Sequence, residues 1–338
     1  MPDQYIKTYL IYLTHSDQNS DMFVTFMSCT ALQAMSDDQC YPHAAHFIIV
    51  EPSAASHCSL NISVIDAFCK TVCEALQSRP DTPIVICPHD DSESSLSNAA
   101  LLYGAYQLLC NGELLNKIAD DLRPHINRLP LGGAGVLDAW SALDRARALR
   151  WLATPDCADE PALDIDMAAH YAHPANGGLR VIVPDRLLSF PSPALLPAGQ
   201  AWADASPGDA RPGRLFSATF LAELLEDLGV TAVVCLGRTG RRDAAAFRRC
   251  GLDVHDLGLD PRRPALLGAM DRLLALARAA PGGVAVCGWR GDGSGVGGAS
   301  VQALGAAWLM AEGGFGSGAA EAWLGMVCWA PAGTGPEE

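Results

Sequence analysis

The residues with the clearest chemical potential lie between Gly283 and Gln302, which read G-V-A-V-C-G-W-R-G-D-G-S-G-V-G-G-A-S-V-Q. An apolar strand feeds a loop with six glycines, and the loop feeds a helix. Backbone N–H groups and the positive end of a helix then converge on one point, a natural anion site. The expected phosphate-loop residues are Gly291, Gly293, Ser294, Gly295, Gly297 and Gly298. A thiolate at the strand end with an arginine six residues later would complete a phosphoryl-transfer site. The thiolate attacks phosphorus and the arginine holds two oxygens bidentately.

Cysteine phosphatases use that arrangement, and this loop lacks both residues. Six positions beyond Cys287 stands Gly293, and six before Arg290 stands Val284. The spacing C-x5-R does occur at Cys73–Arg79, inside a helical run without glycine, and at Cys235–Arg241 (C-L-G-R-T-G-R), directly after a strand. The first is a chance match, and the second is a decoy with strand context. Gly293, Gly295 and Gly298 also satisfy G-x-G-x-x-G, a weak signal alone, and no acidic residue follows at the end of a next strand. A nucleotide P-loop would need Lys-Ser or Lys-Thr after its last glycine, which is absent. Nothing calls for a cofactor. The cysteines show no paired metal-ligand spacing, so no metal site is expected.

The elements that must position this loop alternate between strand and helix. Strand-like runs are Ile6–Leu13, Ala45–Val50 and Pro83–Cys87; helical spacing covers Ile62–Leu76 and Ser97–Cys110. Trp151–Ile165 is polar and proline-containing, and is taken as a linker. Beyond it come strands at Leu179–Val183, Thr231–Cys235, Val254–Leu259 and Val284–Cys287. Helices are expected at Phe216–Asp227, Asp243–Cys250, Ala265–Ala279, Val301–Ala311 and Glu321–Cys328. The expected class is α/β with two domains, residues 1–150 and 166–338 joined by 151–165, each a mostly parallel sheet flanked by helices.

The 338 residues suffice for two cores. A hydrophobic content of 49% with 18% charged residues describes a folded chain. The net charge of −15 disfavours nucleic acid and suits a basic peptide or protein, although acidity also serves solubility. The N-terminus shows no signal-peptide pattern and no apolar run reaches membrane-spanning length. The twelve cysteines are therefore expected as reduced thiols in the cytoplasm or nucleus.

The segment from Asp164 to Phe190 carries a more specific pattern. Asp164, Asp166, His170, Tyr171, Asn176, Gly177, Ile182, Val183, Pro184, Leu188 and Phe190 resemble, without a gap, the start of the catalytic domain in the cell-division-cycle-fourteen family of mitotic-exit dual-specificity phosphatases. Ser59-Leu60-Asn61, Asn98-Ala99-Ala100, Gly104-Ala105-Tyr106, Thr231–Val234 and the last helix with its G-P-E-E ending resemble further family stretches, so the likeness covers nearly the whole chain. It implies two tandem dual-specificity-phosphatase-like domains, only the second built for catalysis. Between them the family holds phosphoserine-proline peptides in an acidic groove.

The departures from that pattern concern chemistry. Anchored on the strand, the family's cysteine position falls on Gly288 and its arginine on Ser294; anchored on the helix, these become Ser294 and Ser300. Asp260 matches the family's general acid in a setting one residue shorter, and Glu337 and Glu338 replace its water-positioning glutamines. Losing the arginine removes a charge-assisted contact worth about 1.5–3 kcal/mol. The implied protein is a pseudophosphatase that binds a protein or phosphopeptide. An active enzyme using Cys235 or Ser294 as nucleophile, or a pure scaffold, are the alternatives.

Overall fold

The computed structural model describes residues 11–13, 46–50, 60–78, 84–88, 92–126, 130–131, 134–154, 160–205, 214–237, 239–259, 266–288 and 296–328. These form a mixed α/β structure divided into two compact units: residues 1–160 with Glu321–Met326, and residues 161–320 with 327–338.

The first unit contains β1 (Ile11–Leu13), β2 (His46–Val50), α1 (Ile62–Ser78), β3 (Ile84–Pro88), α2 (Glu93–Leu109), α3 (Leu115–Ile126), β4 (Pro130–Leu131), β5 (Ala134–Gly135) and α4 (Val136–Ala148). β3 is the middle of a three-stranded sheet, parallel to β2 and antiparallel to β1. Its Ile84, Val85 and Ile86 are at most 1% exposed, which accounts for the continuous apolar run. The helix expected from Ser97 begins one turn earlier, because the Ser92 hydroxyl accepts from the Ser95 amide at 3.2 Å and caps α2 at Glu93. Asn98 is consequently inside the helix and buried.

α2 is buried on nearly every side, as befits a helix at the centre of a domain. α4 packs on it through Trp140, whose indole N–H donates to the Leu101 carbonyl at 3.2 Å. A Cβ added at Gly104 would stand 2.1 Å from the Trp140 ring, so glycine here admits the indole. Trp323, within the Glu321–Met326 segment of this unit, stacks at a tilt on Trp151 with centroids 5.4 Å apart.

The second unit contains α5 (Ile165–Ala172), a 3-10 turn (Pro174–Asn176), β6 (Arg180–Val183), β7 (Leu187–Phe190), β8 (Trp202–Asp204), β9 (Arg214–Phe216), α6 (Ala218–Asp227), β10 (Val230–Cys235), α7 (Arg241–Arg249), β11 (Asp253–Asp256), α8 (Leu266–Ala279), β12 (Gly283–Cys287), α9 (Val296–Ala311) and α10 (Ser317–Cys328). Its five-stranded sheet runs β11-β10-β12-β7-β6, parallel except for β6 at the edge. The last strand along the chain, β12, lies at the centre.

Three differences from the sequence expectations have local causes. Phe216 closes β9 rather than opening a helix, because Ser217 caps α6 by accepting from the Phe220 amide at 3.2 Å. β7 was not separable from the sequence, because its four residues lie between Pro184 and Pro191. α9 begins at Val296 rather than Val301, so Gly297, Gly298 and Ser300 are helical. The usual glycine cost of about 1 kcal/mol is overridden here by burial of Leu304 and Leu309 and by packing of α9 on α8.

The motif Asp164–Phe190 turns out to be a framing device. Asp164 caps α5 through the Met167 amide at 2.8 Å, and Asn176 Nδ2 donates to the His170 carbonyl at 3.1 Å. Gly177 has φ +132°, and a Cβ there would meet Leu179 Cδ1 at 2.6 Å. The β6–β7 turn carries Asp185 at φ 57°, a left-handed position that Asp tolerates.

Gly104→Ala is expected to lower stability in urea by roughly 1–3 kcal/mol through overpacking against Trp140, despite alanine's better helix propensity. An unchanged or raised unfolding midpoint would contradict the close approach.

Candidate functional site

Parallel strands end together, so Phe190 (β7), Cys287 (β12), Cys235 (β10) and Asp256 (β11) share one sheet edge. Ligands of open α/β sheets bind outside the carboxyl edge, where successive connections leave toward opposite faces. Leu188, Phe190, Val233, Cys235, Ala285 and Cys287 share one apolar cluster with Leu221 and Leu225 of α6 and with Phe247 of α7. Alternation turns Val284 and Val286, at most 1% exposed, to the other face, and α8 lies against β12 and packs on α9. The chain thus leaves β10 toward α7 on one face and β12 toward α9 on the other. The ends of β10 and β12 are the switch point of the sheet.

At this point two thiols stand side by side. Cys235 and Cys287 are register partners, and the Leu236 amide donates to the Cys287 carbonyl at 3.1 Å. The Cys287 thiol is 3.4 Å from the Gly288 carbonyl and 3.5 Å from Ser192 Oγ, and the Ser192 hydroxyl donates to that carbonyl at 2.6 Å. Ser192 thereby ties the loop after β7 to the beginning of the glycine loop. Hydrogen bonding from the Cys287 thiol holds the Cys235 thiol below its ordinary pKa, against the opposing effect of burial. The Thr239 hydroxyl is also near Cys235, but its one proton is better placed on Asp256 Oδ1, at 2.5 Å. The Thr239 amide donates to the same oxygen at 3.0 Å.

These bonds decide what the C-x5-R match at Cys235–Arg241 can do. Gly240 caps α7 and Arg241 is its first residue, so the strand, loop and helix are all present. A phosphate cradle needs loop amides pointing at the thiol. Here the Leu236 amide belongs to the sheet and the Thr239 amide to Asp256, so neither is available.

Gly288, the strand-anchored cysteine position, is the first residue past β12. Among the described residues, a Cβ built there meets nothing within 4 Å. A small side chain at the strand end would therefore be accommodated among them. Gly297 and Gly298 sit in the first turn of α9, and Ser300 in its next turn is 3% exposed. Gly291, Gly293, Ser294, Gly295, Asp260, Glu337 and Glu338 lie outside the described residues. The residue that sequence reasoning passed over is Ser192; nothing in S-P-A-L-L-P announces it, and only the β7–β12 pairing brings it to the site. Among the described residues no group of three His, Cys, Asp or Glu is arranged to hold a metal ion, and no helix is long and apolar enough to cross a membrane.

No protein-family model matches the chain, and no curated protein does. Among solved structures, TpbA of P. aeruginosa is similar to part of it. The identity is 23%, over 37% of this chain and 90% of TpbA, with a TM-score of 0.20. A likeness at that score bears on neither fold nor chemistry.

Gly288→Ala and Gly288→Cys should fold with stability changed by less than about 1 kcal/mol. Gly282→Ala should cost roughly 1–3 kcal/mol, because a Cβ there meets the Gly229 carbonyl oxygen at 2.6 Å. Matched denaturation curves check the contrast, and a large loss at Gly288 would contradict the open position.

Proposed function

We propose that this chain is a degenerate member of the cell-division-cycle-fourteen family: two tandem dual-specificity-phosphatase-like units acting as a pseudophosphatase that binds a protein, preferably phosphorylated, without turning it over. The observation carrying this reading is Gly288. It follows directly on β12 at the switch point, where a nucleophilic thiol would have to project, with no side chain of its own and no described atom within 4 Å of a Cβ placed there. The central parallel strand β12, the glycine-rich loop after it and the framing segment Asp164–Phe190 agree with the family scaffold.

The acidic chain, with 38 acidic against 23 basic residues, favours a partner whose phosphoserine-proline site is flanked by basic residues. Nucleic acid and membrane surfaces are disfavoured by the same charge. Backbone amides and a helix N-terminus provide the phosphate affinity. With no arginine at the matched positions, that affinity is modest.

Calorimetric titration with a basic phosphoserine-proline peptide and its unphosphorylated twin tests the reading. The phosphorylated peptide should bind about tenfold tighter, roughly 1.4 kcal/mol, with no inorganic phosphate released. Equal affinity for the two would favour a phosphate-blind scaffold. Steady phosphate release abolished by a change at Cys235 or Ser294 would overturn the pseudophosphatase and establish an enzyme with an unexpected nucleophile.

A further inference from the structure

The pairing of Cys235 with Cys287 is not used by the binding function above. Both are reduced thiols, 6% and 4% exposed, on the same face of adjacent parallel strands. Neighbouring strands lie about 4.8 Å apart, inside the roughly 4.4–6.8 Å Cα range over which a disulfide closes. The register therefore already supplies the approach that a disulfide needs. Both thiols are at the ends of their strands, where one strand boundary need loosen rather than the whole sheet. Each is followed by a loop that contains glycine, Leu236-Gly237 after one and Gly288 after the other.

We propose that Cys235 and Cys287 form a reversible dithiol–disulfide site, oxidised by hydrogen peroxide and restored by thiols. The Cys235 thiolate, stabilised by the Cys287 S–H, is the attacking sulfur. It attacks one peroxide oxygen, the O–O bond breaks, and Cys235 becomes a sulfenic acid as water leaves with a solvent proton. The Cys287 sulfur then attacks the Cys235 sulfur, the S–O bond breaks, and hydroxide departs with the Cys287 proton as a second water. Two thiols lose two electrons, and one hydrogen peroxide is reduced to two waters. Burial of the two cysteines, 6% and 4% exposed, restricts the reaction to small oxidants and disfavours bulky disulfides such as oxidised glutathione. The site is independent of the phosphoprotein reading, since oxidation of the pair needs no bound phosphate.

The sequence makes the test direct. Cys235 is the single cysteine of the tryptic peptide Leu215–Arg238, and Cys287 that of Ala279–Arg290. The full chain is treated with hydrogen peroxide, its remaining thiols are blocked with N-ethylmaleimide, and it is digested without reductant. The two peptides should appear as one linked species, lighter by two hydrogens than their sum, and should separate after dithiothreitol. In Cys287→Ser, Cys235 should instead be trapped by dimedone as a sulfenic acid. Should that variant misfold, the map of the unaltered chain decides alone. The proposal is overturned if both peptides are recovered separately while other thiols oxidise. The rival is the group Cys69, Cys73 and Cys110 in the first unit, where the Cys110 thiol is hydrogen-bonded with each of the other two. Linkage of Cys235 to any cysteine other than Cys287 overturns it equally.

Discussion

The second unit depends on the insertion of β12 between β7 and β10. Its Val284, Ala285 and Val286 are at most 1% exposed, with a parallel partner on each side. Burying each valine side chain contributes about 1.5–3 kcal/mol. The entry to the strand is held from both neighbours: the Gly283 amide donates to the Gly229 carbonyl at 3.0 Å and the Val284 amide to the Arg186 carbonyl at 2.9 Å. The Gly282 amide adds a bond to Thr231 Oγ1 at 3.1 Å. A strand locked at its start and buried along its length presents its far end, Cys287 and Gly288, at a defined place.

Everything notable at the candidate site follows from that placement. β12 aligns Cys287 with Cys235, brings Gly288 within reach of Ser192, and makes the β10–β12 boundary the point where connections part to opposite faces. The same ladder engages one amide of the loop after β10, since the Leu236 N–H completes the sheet against the Cys287 carbonyl.

Much of the architecture was legible because it rests on continuous apolar runs or helical spacing. β3, β10, β12, α1 and α8 fall close to the expected segments for that reason. What was not legible depended on tertiary context. β7 is too short to announce itself between prolines, β8 and β9 pair only with each other, and the start of α9 contradicts the loop preference of glycine. At the site, the sequence showed an incomplete phosphate loop, but strand order is what pairs two cysteines remote along the chain. The role of Gly104 was hidden likewise, because Trp140 approaches it from another helix.

The central proposal is that the strand end at Gly288, open among the described residues, is where a nucleophile would stand in an active enzyme and that this chain forms no covalent phosphoenzyme. Incubating the full chain with a peptide carrying radiolabelled phosphoserine, quenching in acid and counting protein-bound label tests this most directly. The account predicts no covalent label on the chain at any time of quench. Label on any cysteine or serine of residues 235–241 or 287–300 would contradict it.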